Sequence, residues 1–121
     1  MLNSEHLTTQ LMQFCGSEHY YRHGIINEVI FTEGTKFLAD RTASYWLLDE
    51  IALCQRYEER VRAEEFQLWK LSVNPDQTAG LTCEDGNGHY IFGKEIDFTD
   101  FPMSEIKLYC IDNTILLPSE Y

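Results

Sequence analysis

Positive charge is scarce in this chain. Nine lysines and arginines stand against twenty aspartates and glutamates, which gives a formal net charge of -11 and a pI near 4.6. Proteins that grip nucleic acid or anionic lipid spend Lys and Arg on phosphates. Direct nucleic-acid binding and attachment to a membrane surface are therefore not expected. Long apolar runs are missing too, and no stretch approaches the about 18 residues a spanning helix needs. The four cysteines, Cys15, Cys54, Cys83 and Cys110, are scattered without a CxxC pair. The opening Met1-Leu2-Asn3-Ser4-Glu5 has neither a basic nor an apolar character, so a secretory leader is not expected. Together these features predict reduced thiols in the cytoplasm, with the cysteines as small buried residues.

Catalytic signatures are absent as well. No GxSxG, HExxH, GxGxxG or Cys/His nucleophile arrangement occurs. Asp85-Gly86-Asn87-Gly88 lacks the Lys and Ser/Thr of a phosphate loop and sits between strands, so it reads as a turn. No cofactor is expected.

What the chain does have is a core. Of its 121 residues, 44% are hydrophobic, enough to fill a single domain spanning 1–121. Leu7, Leu11 and Phe14 recur at helical spacing after a capping Ser4, with Gly16 as the stop. His19 to His23 reads as a short strand or extended loop, and Ile25 to Phe31 as a β-branched strand. Glu33-Gly34 reads as a turn. Thr35 to Ala43 suggests a helix, and Ser44 caps a stronger one from Tyr45 to Arg56 with Leu47, Leu48, Ile51 and Cys54 on one face. The period then changes. Trp69, Leu71 and Val73 alternate, then Leu81 and Cys83, then Tyr90, Phe92, Ile96 and Phe98 on one face, then Ile106, Leu108 and Cys110, and finally Thr114 to Leu117. Asn74-Pro75-Asp76, Asp85 to Gly88 and Asp112-Asn113 are the turns between them. The expected fold is α+β, with N-terminal helices packed on one face of a C-terminal antiparallel sheet of four or five strands.

Four groups of residues could carry function. Cys15, His19 and His23 are spaced by four, which would align zinc ligands on a helix, but Gly16 and Tyr20-Tyr21 oppose that helix and no fourth ligand is in reach. No metal is expected there. His19, Tyr21 and His23 with Glu64 or Glu65 are the parts an unrecognised enzyme would use. Arg56, Arg60 and Arg62 form the sole basic cluster, and local ion pairs with Glu58 and Glu59 account for it.

The acids are the fourth group. Residues 76–121 hold nine acids against Lys94 and Lys107, while residues 1–75 hold eleven against seven bases. The excess thus lies in the C-terminal part. It predicts a binding surface of Asp85, Glu95, Asp97 and Asp100, with Trp46 as an aromatic anchor. The expected partner is a basic protein, one version being a nucleic-acid enzyme whose DNA site the acids occupy. The alternatives are the His/Tyr/Glu enzyme and a structural homodimer joined at a sheet edge.

Several blocks occur in a familiar order. They are Tyr20-Tyr21-Arg22-His23, Tyr45-Trp46-Leu47-Leu48-Asp49-Glu50-Ile51-Ala52, Glu64-Glu65-Phe66-Gln67-Leu68-Trp69, Asp85-Gly86-Asn87-Gly88, Phe98-Thr99-Asp100-Phe101-Pro102 and Leu116-Leu117-Pro118-Ser119-Glu120-Tyr121. Together they resemble an uncharacterised bacterial family, a domain of unknown function seen in cyanobacteria and on mobile elements. The resemblance implies a small stand-alone intracellular domain and brings no established activity. A mobile-element setting points, by analogy alone, toward interference with host machinery.

Overall fold

In the computed structural model, residues 4–16 and 18–121 are described. Met1–Asn3, part of the opening segment read above, lie outside the described residues. The chain forms α1 (Ser4–Leu11), β1 (Tyr20–Arg22), β2 (Ile30–Thr32), α2 (Glu33–Thr42), α3 (Tyr45–Tyr57), α4 (Glu59–Arg62), β3 (Phe66–Val73), β4 (Ala79–Glu84), β5 (Tyr90–Ile96), β6 (Glu105–Ile111), β7 (Thr114–Leu116) and a closing 3₁₀ turn at Pro118–Glu120. All four helices precede the long strands. The α+β class therefore holds, but the sheet has seven strands in the order β1-β2-β7-β6-β3-β4-β5, not four or five.

The two additional strands are β1 and β2. They join through a parallel pairing of β2 with β7, and every other pair is antiparallel. Nor is the C-terminal part a plain meander, because β6 returns to the free side of β3 and leaves β5 as an edge.

Alternation decides which face is buried. Gln67, Trp69 and Leu71 on β3, Ala79, Leu81 and Cys83 on β4, Leu108 and Cys110 on β6 and Ile115 on β7 point to the same side. Leu7 and Leu11 of α1, Leu38 of α2 and Leu47, Leu48 and Ile51 of α3 complete that core. On β5 the alternation slips at a bulge beside Cys83 and Glu84. Ile91 takes the buried place, Phe92 packs 6.0 Å from the Trp69 ring, and Tyr90 and Phe98 are exposed. The common face expected for Tyr90, Phe92, Ile96 and Phe98 is thereby broken.

Other boundaries move for local reasons. Helix α1 ends at Leu11, well before Gly16. Ser44 makes no side-chain cap to α3; its hydroxyl meets that of Thr42 at 2.5 Å instead. Ile25–Val29 is not a strand but a turn pinned by His23, and β2 covers Ile30–Thr32 alone. Glu33 and Gly34 open α2, where Thr32 Oγ1 accepts the Thr35 N–H. Arg56 pairs with the distant Glu28 through two bonds of 2.7 and 2.9 Å, not with the neighbouring glutamates.

Candidate functional site

Four of the nine acids of residues 76–121, Asp76, Glu95, Asp97 and Asp100, lie at one end of the sheet, where the β3–β4 turn meets the loop after β5. Asn74-Pro75-Asp76 stops β3 because proline cannot donate to the ladder. Asp76 Oδ1 accepts from the Thr78 amide at 3.1 Å and from its hydroxyl at 2.6 Å, which holds the turn and keeps the Asp76 carboxyl below its ordinary range. Gln77 takes a left-handed backbone at φ 71°. Its carbonyl accepts the Thr99 amide at 2.9 Å, tying the post-β5 loop to the turn. Thr99 and Phe101 are buried, and the Phe101 amide donates to Thr99 Oγ1 at 3.1 Å. With those two residues turned inward, Asp97, Phe98 and Asp100 project outward, and Phe98 is 69% exposed.

Glu95 lies beside Gly80 across the β4–β5 pair. Together with Asp97, Asn74 and Thr78 it borders a concavity of about 300 Å3. Among the described residues, Asp76, Glu95, Asp97 and Asp100 form no ion pair. Lys94, the neighbouring cation, is held by Glu50 at 2.8 Å across the sheet edge. The result is a group of carboxylates on two tied turns and the adjoining strand end, with the exposed ring of Phe98 among the same residues of the chain.

Asp85 is not part of it. It sits at the opposite end of β4, where its Oδ1 accepts the amides of Asn87 at 2.8 Å and His89 at 2.9 Å. The His89 amide is the main reason its carboxyl is held below the ordinary range. Trp46 on α3 is half-buried against the core. Of the five expected binding residues, Glu95, Asp97 and Asp100 come together. Asp76 and Phe98 belong with them and were missed. The Asn-Pro-Asp turn was legible as a breaker, but which loop would pack against it was not.

The other candidates are dispersed. His23 is 6% exposed and fully engaged. Its Nδ1 accepts from the amides of Ile25 at 3.2 Å and Ile26 at 2.9 Å, which leaves the Nε2–H to donate to Asp49 Oδ1 at 2.7 Å. This histidine organises the Ile25–Val29 turn. His19 lies near Glu33 at 3.8 Å, with an exposed ring. Tyr21 stacks on Phe31 at 5.8 Å and receives Lys36 over its face at 5.4 Å. Lys36 and the Tyr45 hydroxyl both donate to Asp40, and that carboxyl is held low by Lys36 first. Glu64 and Glu65 border a different concavity of about 170 Å3 with Arg62 and Asp112. Cys15 is exposed, and among the described residues no group of three His, Cys, Asp or Glu is placed to hold a metal ion.

A family model described as a family of unknown function, DUF6876, matches residues 5–121. No curated protein and no solved structure matches the chain. Among the described residues no helix is long and apolar enough to cross a membrane.

Proposed function

The chain belongs to the DUF6876 family, a family of unknown function, along residues 5–121, and on that premise we propose that it is a non-catalytic binding protein whose acidic end docks on a basic protein. One observation carries this reading. Asp76, Glu95, Asp97 and Asp100 lie with the exposed Phe98 on the end of β5 and the two turns that the Thr99–Gln77 bond ties together, and among the described residues none of the four forms an ion pair. Clustered carboxylates steer a cationic partner and fix its orientation, while a central aromatic supplies the buried contact that holds it. A partner that itself grips nucleic acid would be displaced from it, which is the mimic version of the same reading. The reading places the protein in a bacterial cytoplasm, in keeping with its four free thiols.

The test uses a labelled Lys/Arg-rich peptide with interspersed leucines and follows its anisotropy. Glu95→Gln/Asp97→Asn/Asp100→Asn should weaken binding by about tenfold or more, a difference near 1.4 kcal/mol. Phe98→Ala should weaken it without changing the salt dependence. The control removes the same charge elsewhere, as Glu18→Gln/Glu59→Gln/Glu65→Gln, at exposed positions. Equal losses in the two triple variants would mean net charge alone attracts the peptide, and the docking reading would be rejected.

A further inference from the structure

The helices cover one face of the sheet. Along β3, β4, β6 and β7 every buried side chain points to that face, and the residues between them remain half-buried or exposed. On the open face, cross-strand neighbours form rows. Leu68, Tyr109 and Leu116 lie side by side in one, and Phe66, Ile111, Thr114 and Ile30 share the next. The rings of Phe66, Tyr109 and Tyr121 pack at 4.8, 5.6 and 5.5 Å, making a firm aromatic platform. Tyr90, at the edge, lays its hydroxyl where a Cβ on Gly93 would sit.

The row beyond is unexpected in so acidic a chain. Lys70 stands directly opposite Lys107. Like charges in that position oppose strand pairing. Lys70 reaches Glu105 at 3.9 Å, and Lys107 makes no ion pair among the described residues. Glu84 lies in the leucine row and Glu105 in the row past the lysines, so carboxylates flank the pair on both sides.

We propose that this open face receives the same face of a second copy of the chain. Two features choose that occupant. The central strands carry two lysines and two glutamates, and Glu95 on the edge strand β5 shares the Glu105 row, so the patch is close to neutral, whereas the net charge of -11 repels a second copy elsewhere. The patch is also its own complement. A two-fold axis brings each lysine pair toward Glu84 or Glu105 of the other copy while the aromatic and leucine rows meet, as an isologous interface requires. Lys107, which forms no ion pair among the described residues of one subunit, then gains a carboxylate partner.

Sedimentation equilibrium over about 1–200 μM tests this. The expected mass approaches twice the 14.2 kDa of the chain at the upper concentrations. Leu68→Lys/Tyr109→Lys should raise the dimer dissociation constant by about tenfold or more with an unchanged circular dichroism spectrum. Should that variant misfold, Lys107→Glu at an exposed site serves instead. It should weaken the dimer, and Lys107→Glu/Glu105→Lys should restore it. Asp97→Asn/Asp100→Asn, at acidic-end residues outside the strand pairing, should dimerise at least as tightly as the parent, which separates this test from that of the docking reading. A protein that is monomeric at every concentration, or a dimer indifferent to both Lys107→Glu and the Leu68/Tyr109 pair, overturns the proposal.

Discussion

A side chain at position 34 would have nowhere to go. A Cβ built on Gly34 would lie 2.7 Å from Glu120 Oε1 and 2.7 Å from Leu117 Cδ1. The Glu120 carboxylate occupies the start of α2, where it accepts from Thr32 Oγ1 at 2.6 Å, the Gly34 amide at 3.2 Å and the Leu117 amide at 2.9 Å. An anion at a helix N-terminus satisfies amides that have no partner within the helix. Gly34→Ala should force that carboxylate out and cost about 1–3 kcal/mol in urea denaturation. The cost should shrink in a Glu120→Ala background; if it stays the same, the conflict lies with Leu117 and not with the carboxylate. The sequence offered Glu33-Gly34 only as a turn, because the reason for the glycine is a side chain 86 residues away. The cysteines were more legible. Burial pushes the thiols of Cys54, Cys83 and Cys110 up to about 12, while Cys15 is exposed. A raised pKa withholds the reactive thiolate. At about pH 8 a disulfide reagent should therefore titrate one thiol in the native protein and four in guanidinium. More than one rapidly reacting thiol in the native state would contradict this burial.

The elements differ in how plainly they announce themselves. Strands β3, β4 and β6 alternate because one face is buried, and their boundaries were visible for that reason. Helix α3 was visible for the same reason at its own period. The β1–β2 pair was not, since three-residue strands carry no period and a parallel partner such as β7 is specified only by the finished sheet. Helix α4, with four residues, depends on a buried amide pair. Gln67 Nε2 donates to Gln55 Oε1 at 2.9 Å and to the carbonyls of Val61 at 2.8 Å and Glu64 at 3.0 Å. Gln67 Oε1 accepts from Gln55 Nε2 at 2.7 Å and Trp69 Nε1 at 2.9 Å. This amide binds α3, α4 and β3 together, and nothing in a single sequence marks one inward-facing Gln as such a joint. Gln67→Ala would leave several buried polar groups unpaired, and a loss of about 3 kcal/mol is expected by chemical denaturation. A loss below about 1 kcal/mol would show that water replaces the amide without strain.

At the scale of the whole molecule, the acidic end is expensive to keep. Asp76, Glu95, Asp97 and Asp100 hold like charges together on one braced loop system, and Lys94 is drawn away to Glu50. Exposed ion pairs such as Lys36 with Asp40 contribute little, and salt weakens them. Two electrostatic effects of opposite sign therefore compete, and the net charge decides between them. With twenty acids to nine bases, repulsion prevails, so screening should stabilise the fold. Raising NaCl from about 20 mM to about 500 mM should lift Tm by roughly 4 °C for each kcal/mol of repulsion relieved. The Glu95→Gln/Asp97→Asn/Asp100→Asn variant should start from a higher Tm at low salt and respond less to added salt. That pattern would mean the parent protein holds these carboxylates at a cost to its own stability, which is how a surface kept for a partner behaves. A Tm that falls with salt, or an acidic-end variant less stable than its parent, would instead make the carboxylates part of the fold's own support and leave the docking surface without its electrostatic rationale.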